Sequence, residues 1–240
     1  MSRSILTFAI ILTGNFLLTP PLSAIEYTEK TTKMVKEHRE IAQFNCIKIR
    51  GNGTLFIKQG SKVALTIEGE ANLLPQIKSE IQNNCLNLSP QENRDLQNTP
   101  LNYQLTVNQL EHIQASGNIS IISKGTLNAK KFSLAQSGMG TANIKIKANK
   151  LNIQLSGTGA MILQGSANEQ DIQISGAGQL NGKRFLTKAT YITISGNGSA
   201  EINAADDLNV KIYGAGKIKY YGSPKITQQI SGEGEIIPLS

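Results

Sequence analysis

Residues 151–178 read LNIQLSGTGAMILQGSANEQDIQISGAG. Leu151, Ile153 and Leu155 alternate with polar residues and lead into Ser156-Gly-Thr-Gly; Ile172 and Ile174 then lead into Ser175-Gly-Ala-Gly in the same phase. Period-two alternation puts one side of an extended chain inward. Paired glycines supply the positive φ or close backbone approach that a sharp corner needs. A second alternating run, Met161 and Leu163, follows the corner. The unit is therefore strand, glycine corner, strand, turn.

Working outward, the tetrapeptide returns at Ser116 (degenerate, as Ser-Gly-Asn-Ile), Ser137, Ser156, Ser175, Ser195, Tyr213 (as Tyr-Gly-Ala-Gly) and Ser231. The period is about 19 residues, at the short end of solenoid repeats. A unit this short cannot bury an apolar face alone, so successive units must stack coil on coil. The pattern predicts an all-β protein with a β-solenoid of about 19-residue coils over residues 116–240. A meander closing as a sandwich or barrel is the competing architecture, since two strands per unit fit its spacing of roughly 8 to 12 residues. The constant phase between corner and core residues favours the solenoid.

Residues 42–115 read as a β-rich cap on the first coil, because a bare solenoid end exposes core and unpaired strand groups. Alternation over Phe44 to Ile49, Thr54 to Lys58 and Val63 to Ile67 gives strands, with turns at Gly51-Asn52-Gly53 and Gly60-Ser61. Asn72, Leu73, Leu74, Pro75, Ile77 and Ile81 predict one short helix with Asn72 as its cap. Leu86 to Leu88 is a strand, polar Ser89 to Pro100 a loop, and Leu101 to Ile113 a strand entering the repeats.

Ahead of the cap, Arg3, the apolar run Ile5 to Leu18 and the small pair Ser23-Ala24 have the form of a secretory signal peptide over 1–24, with an uncleaved anchor as the alternative. A Lys- and Glu-rich stretch, 25–41, follows as an exposed arm or short helix. The apolar run is not followed by Cys, so no lipid anchor is expected there. Nothing later approaches the roughly 18 apolar residues of a transmembrane helix. The expected product is exported, whether periplasmic, outer-surface or secreted. Cys46 and Cys85 are the two cysteines. An even count in an exported chain points to one disulfide, with two separate thiols as the alternative.

The formal net charge is +7. Loss of residues 1–24 removes Arg3 only, leaving 23 basic (24 minus 1) against 17 acidic residues. Thirteen basic and seven acidic residues fall in 116–240, so the repeats carry the whole excess of +6. Such a field favours an anionic glycan or an envelope protein as partner, against the alternative of a solvated, slightly basic surface that holds no ligand. Nucleic acid is not expected, because no dense Lys/Arg patch is interleaved with aromatics. Lys145, Lys147, Lys183, Lys211, Lys217 and Lys219 are the candidate contributors. Of the four tyrosines in the repeats, Tyr191, Tyr213, Tyr220 and Tyr221, the adjacent pair Tyr220 and Tyr221 must place one ring outward.

No catalytic site is expected. Gly176-Ala-Gly178-Gln-Leu-Asn-Gly182 has neither the spacing nor the following helix of a dinucleotide fingerprint. A triad would need a base, and His38 and His112 lie outside the repeats. Glu169, Asp171, Asp206, Asp207, Glu233 and Glu235 show no aligned carboxylate pair for glycoside chemistry. The residue two after the second glycine is never Asp, so calcium repeats of the Gly-Gly-x-Gly-x-Asp type are absent. No metal and no cofactor is implied. An exported binding module leads; a structural or assembly spacer of the envelope is the alternative, and a polysaccharide-active enzyme trails.

Residues 44–60 (FNCIKIRGNGTLFIKQG), then 65–74 (LTIEGEANLL), then the serial Ser-Gly-x-Gly units together resemble the auto-transporter adhesin head family known as the GIN domain. That is a bacterial domain of unknown function. The resemblance covers the chain from about Phe44 onward. It implies a right-handed β-helix-like fold at the cell surface or in the periplasm, and no catalytic residues. A translocating barrel after the last repeat would not fit in this sequence, so self-export is not expected.

Overall fold

Glycine decides where each coil turns. At Gly157 φ is +101°, and a Cβ there would lie 2.7 Å from the carbonyl oxygen of Gly138, one coil below. Gly51, Gly117, Gly138, Gly157, Gly176, Gly196, Gly214 and Gly232 form one column, each after Gly51 with its backbone seated on the glycine beneath. No residue with a side chain fits that stacking, which is why the tetrapeptide recurs.

The computed structural model describes residues 33–91 and 101–239. The expected signal peptide and most of the expected Ser89 to Pro100 loop lie outside the described residues. In chain order the strands are β1 (Met34–Arg39), β2 (Cys46–Gln59), β3 (Ala64–Glu70), β4 (Ile77–Gln82), β5 (Cys85–Pro90), β6 (Leu101–Val107), β7 (His112–Gly138), β8 (Thr141–Gly157), β9 (Ala160–Gly176), β10 (Gln179–Gly196), β11 (Ser199–Gly214), β12 (Lys217–Tyr221), β13 (Lys225–Ser231) and β14 (Glu235–Pro238). From β7 to β11 consecutive strands pair in parallel, one coil apart. The molecule is a β-solenoid of stacked coils of about 19 residues, and the meander is ruled out by the parallel pairing.

Each long strand has two legs, one following a glycine corner and one preceding the next. In β8 these are residues 141–148 and 150–157. Inward residues of the following legs stack as Ile121, Ala142, Met161, Leu180, Ala200, Ile218 and Ile236. The preceding legs stack Leu134, Ile153, Ile172, Ile192 and Val210. All but Ile236 are buried. Full burial of such a side chain stabilises by about 2 kcal/mol, so the ladders supply most of what holds neighbouring coils together.

The N-terminal half differs from expectation in three places. First, the solenoid begins at β2 rather than at Ser116: β2 pairs in parallel with β7 in continuous register from Cys46↔His112 to Ile57↔Ser123, with Gly51 under Gly117. Arg50-Gly-Asn-Gly is thus an eighth copy of the corner, and of the cap drawn as 42–115 only residues 60–111 are an insertion between the first two coils. Second, the arm expected over 25–41 is a strand at Met34–Arg39, paired antiparallel with β3. Third, the expected short helix is only a 3-10 turn at Leu74–Gln76, after which the chain is already strand β4. Pro75 sits in the first turn, where it is tolerated, but the extended backbone at Ile77 ends the turn before α-hydrogen bonds can form.

Below β2 the sheet forks. Its first half continues into β5 and β4, its second half into β6, β3 and β1. Arg39 of β1 ties the wings together, donating from Nη1 to the Ile77 carbonyl at 2.6 Å and Ser79 Oγ at 2.9 Å, and from Nη2 to the Leu74 carbonyl at 2.7 Å. Tyr103 of β6 is buried in this region, and burial pushes its hydroxyl up to about 12 against the opposing pull of the Arg39 charge. Cys46 and Cys85 lie opposite each other on β2 and β5, Cα atoms 4.3 Å apart, and are joined by a disulfide.

Candidate binding face

Outward residues alternate with the core ladders, so each leg displays its own surface. The following legs carry Lys124, Lys145, Lys147, Lys183, Arg184, Lys217 and Lys219 against Glu201 and Glu235 only. The preceding legs and the turns before them mix Lys130, Lys131, Lys150, Lys188, Lys211 and Lys225 with Glu169, Asp171, Asp206 and Asp207. The positive excess is therefore five on the first surface and two on the second, and Glu233 at the last corner brings the total to +6.

Of the six candidate lysines, Lys145, Lys147, Lys183, Lys217 and Lys219 share the following-leg surface. Lys211 does not. It stands in register with Thr193 and Gln229 on the preceding legs. Tyr220 points inward and packs against the core, so its place among the binding candidates is corrected; Tyr221 takes the outward position.

Tyr221 is already engaged. Its hydroxyl donates to Glu201 Oε1 at 2.7 Å, while Lys183 Nζ sits 4.8 Å from the ring centroid. The contact with Tyr221 holds the Lys183 ammonium above its ordinary pKa. Lys217 pairs with Glu235 at 2.7 Å. Lys145, Lys147 and Lys219 make no ion pair among the described residues, so their charge is the part of the set that faces outward unpaired. Lys124 lies 4.5 Å from the centroid of the Phe56 ring, toward the first coil.

A shallow groove of about 440 Å³ runs across this surface over β9, β10, β11 and β12. Gln179, Asn181, Ser199 and Glu201 provide polar edges, Ala160 and exposed Ile162 an apolar floor, and Lys217 and Lys219 one wall. Small outward residues at Ala160 and Ser199 leave the depression open; the sequence showed alternation there but not which outward residues would be neighbours. A wider, more polar cleft of about 720 Å³ lies at the opposite turns, lined by Gln59, Asn108, Asn128, Lys130, Lys147 and others. Gln59 fixes its shape by bonding to Asn108 O at 3.0 Å and to Asn128 N at 2.8 Å.

The carboxylates weighed for glycoside chemistry are dispersed. Glu169 is bonded to Lys150, whose pKa it raises, and Glu235 to Lys217. His38 Nδ1 bonds Thr66 Oγ1 at 2.8 Å. His112 stacks on Cys46 in the first coil, its pKa lowered by burial and by Lys48. Among the described residues, no three of His, Cys, Asp and Glu gather as a metal site. No helix among them is long and apolar enough to cross a membrane.

The sequence model of the family described as "putative auto-transporter adhesin, head GIN domain" matches residues 43–224. The chain belongs to this family. No curated protein matches it. This GIN domain is similar to a "putative adhesin" from Bacteroides fragilis, with a TM-score of 0.79 and 25% identity over 86% of this chain and 97% of that one. A "putative adhesin" from Parabacteroides distasonis shares the fold at a TM-score of 0.71 and 21% identity over 87% and 98%. So does a "putative lipid binding protein" from the same species, at 0.72 and 17% over 88% and 98%. Family and adhesin-described neighbour support an adhesin-like binding protein and suggest a non-enzymatic one.

Proposed function

We propose that this GIN domain is an exported, non-catalytic binding protein that holds an anionic polymer, most simply an acidic glycan of the envelope or of a neighbouring surface, along the following-leg face. The observation that carries this reading is the segregation of charge: five of the six candidate lysines fall on one leg surface, and three of those five make no ion pair among the described residues, with Lys219 lining the groove, Lys145 in register with Gln164 of β9, and Lys147 at the cleft by the turns. A groove floored by Ala160 and Ile162 and edged by amides and hydroxyls suits a sugar ring, which offers an apolar face and hydroxyl edges. Carboxylates or sulfates along the polymer would meet Lys145, Lys147 and Lys219 in turn.

Titration calorimetry against a graded set of acidic and neutral polysaccharides tests it. Binding to acidic polymers should weaken steeply as salt rises through physiological strength, where charges more than roughly 8 Å apart are screened. Lys145→Gln, Lys147→Gln and Lys219→Gln together should abolish it, while Lys211→Gln on the other surface leaves it unchanged. Salt-insensitive binding, or equal loss with Lys211→Gln, would favour the envelope-spacer reading instead.

A further inference from the structure

We propose that the last coil is a self-pairing surface through which two copies of the chain join end to end. In the described structure β13 pairs only with β11, and β14 only with β12. The far edge of β13 presents backbone donors and acceptors without strand partners, and all seven of its residues are exposed. Edge strands of this kind are ready templates for another strand, and proteins ordinarily blunt them with charge or a bulge. Here the run Ile226-Thr-Gln-Gln-Ile-Ser carries no charge at all.

The inward row of β13 shows what partner fits. Ile226 continues the ladder of Leu151, Gln170, Thr190 and Leu208; Gln228 continues that of Ile192 and Val210; Ile230 continues that of Ile194 and Ile212. Both isoleucines are exposed, at 38% and 39%, whereas their counterparts Leu208 and Ile212 in the coil beneath are fully buried. The row Ile226, Gln228, Ile230 reads the same in both directions. Antiparallel pairing about a two-fold axis at Gln228 therefore sets Ile226 of one copy opposite Ile230 of the other, twice, with Gln228 facing its own equivalent. On the outward row the same register sets Thr227 opposite Gln229 and Lys225 opposite Ser231, so no like charges meet. A two-fold contact requires a self-complementary patch, and this strand is one. A head-to-tail joint lacks that match, because at the other end of the stack β1 presents a different edge strand, antiparallel to its neighbour.

The test is the association state of the purified full-length protein. Sedimentation equilibrium at micromolar concentration should show a monomer–dimer equilibrium. Ile226→Lys and Ile230→Lys, singly, should each shift it to monomer, with the thermal melt of the monomer unchanged because these side chains touch solvent in the isolated chain. Gln228→Cys should form a disulfide-linked dimer on mild oxidation, since residues directly opposite in an antiparallel pair place their Cβ atoms about 5 Å apart. A Thr227→Cys variant, off the axis and on the outward row, should cross-link far less. A wild-type protein that stays monomeric, or a dimer that survives Ile230→Lys and is not captured by Gln228→Cys, overturns the proposal.

Discussion

Gln170 is the clearest anomaly at the scale of a single residue. It is 2% exposed, sits between Leu151 and Thr190 in a ladder whose other buried rungs, Phe132, Leu151 and Leu208, are apolar, and its Nε2 has no hydrogen-bond partner among the described residues. Thr190, one coil on, solves the same problem by bonding its Oγ1 to Thr187 Oγ1 at 2.6 Å, and Thr187 Oγ1 donates in turn to the Asn203 carbonyl. A buried donor left unmade costs roughly 1–3 kcal/mol. Gln170→Leu removes the orphan and keeps the volume, so it should raise stability by about 1–2 kcal/mol, read as a higher urea midpoint with an unchanged m-value. The reverse change at an apolar rung, Ile172→Gln, should be destabilising by at least as much.

The disulfide acts at the scale of elements. It pins β5 under β2, where the first leg of the first coil would otherwise end, and its partners are 39 residues apart in sequence. Closing a loop of that length removes denatured-state entropy worth about 4 kcal/mol in the chain-entropy model. Replacing both cysteines by Ser should lower the unfolding free energy by roughly that amount, measured by denaturant titration. Disorder should appear first in β4 and β5, while β8 to β10 keep their hydrogen bonds. The second tie on the same wing is Arg39, which spans from β1 to the 3-10 turn and β4. Sequence reading placed Arg39 in an exposed arm, because the three oxygens that receive its guanidinium lie 35 to 40 residues further along the chain.

At the scale of the whole molecule the solenoid is quasi-one-dimensional: a coil touches the coil above and the coil below, and stability is passed along by neighbours. Its two ends are unlike. The first coil is covered by the forked wings of β4–β5 and β6–β3–β1, whereas the last has one neighbour among the described residues. In the monomeric Ile230→Lys variant, native-state hydrogen exchange should therefore show a gradient: fastest in β13 and β14, slowest in β8 to β10, where both sides are stacked. Uniform protection along the stack would mean that the coils unfold as one unit.

The repeat, its phase and its period were decided by sequence alone, because an inward Ile, a Gly at positive φ and a close backbone approach are local requirements that every coil must meet again. The all-β class and the parallel stack followed from that. Arg50-Gly-Asn-Gly escaped because a 66-residue gap separates Gly51 from Gly117 and Arg replaces the usual Ser, although the glycine pair itself was visible. What only the tertiary structure decided is which residues are neighbours across coils. Bulges between Asn181 and Arg184 and between Thr187 and Ala189 shift the register by amounts no periodic reading contains. The stacking of coils sets Lys219 beside Glu201, and Glu201 beside Asn181, and brings Tyr221 within reach of Glu201. A face is a property of the stack, and a chain read one residue at a time holds only its alternation.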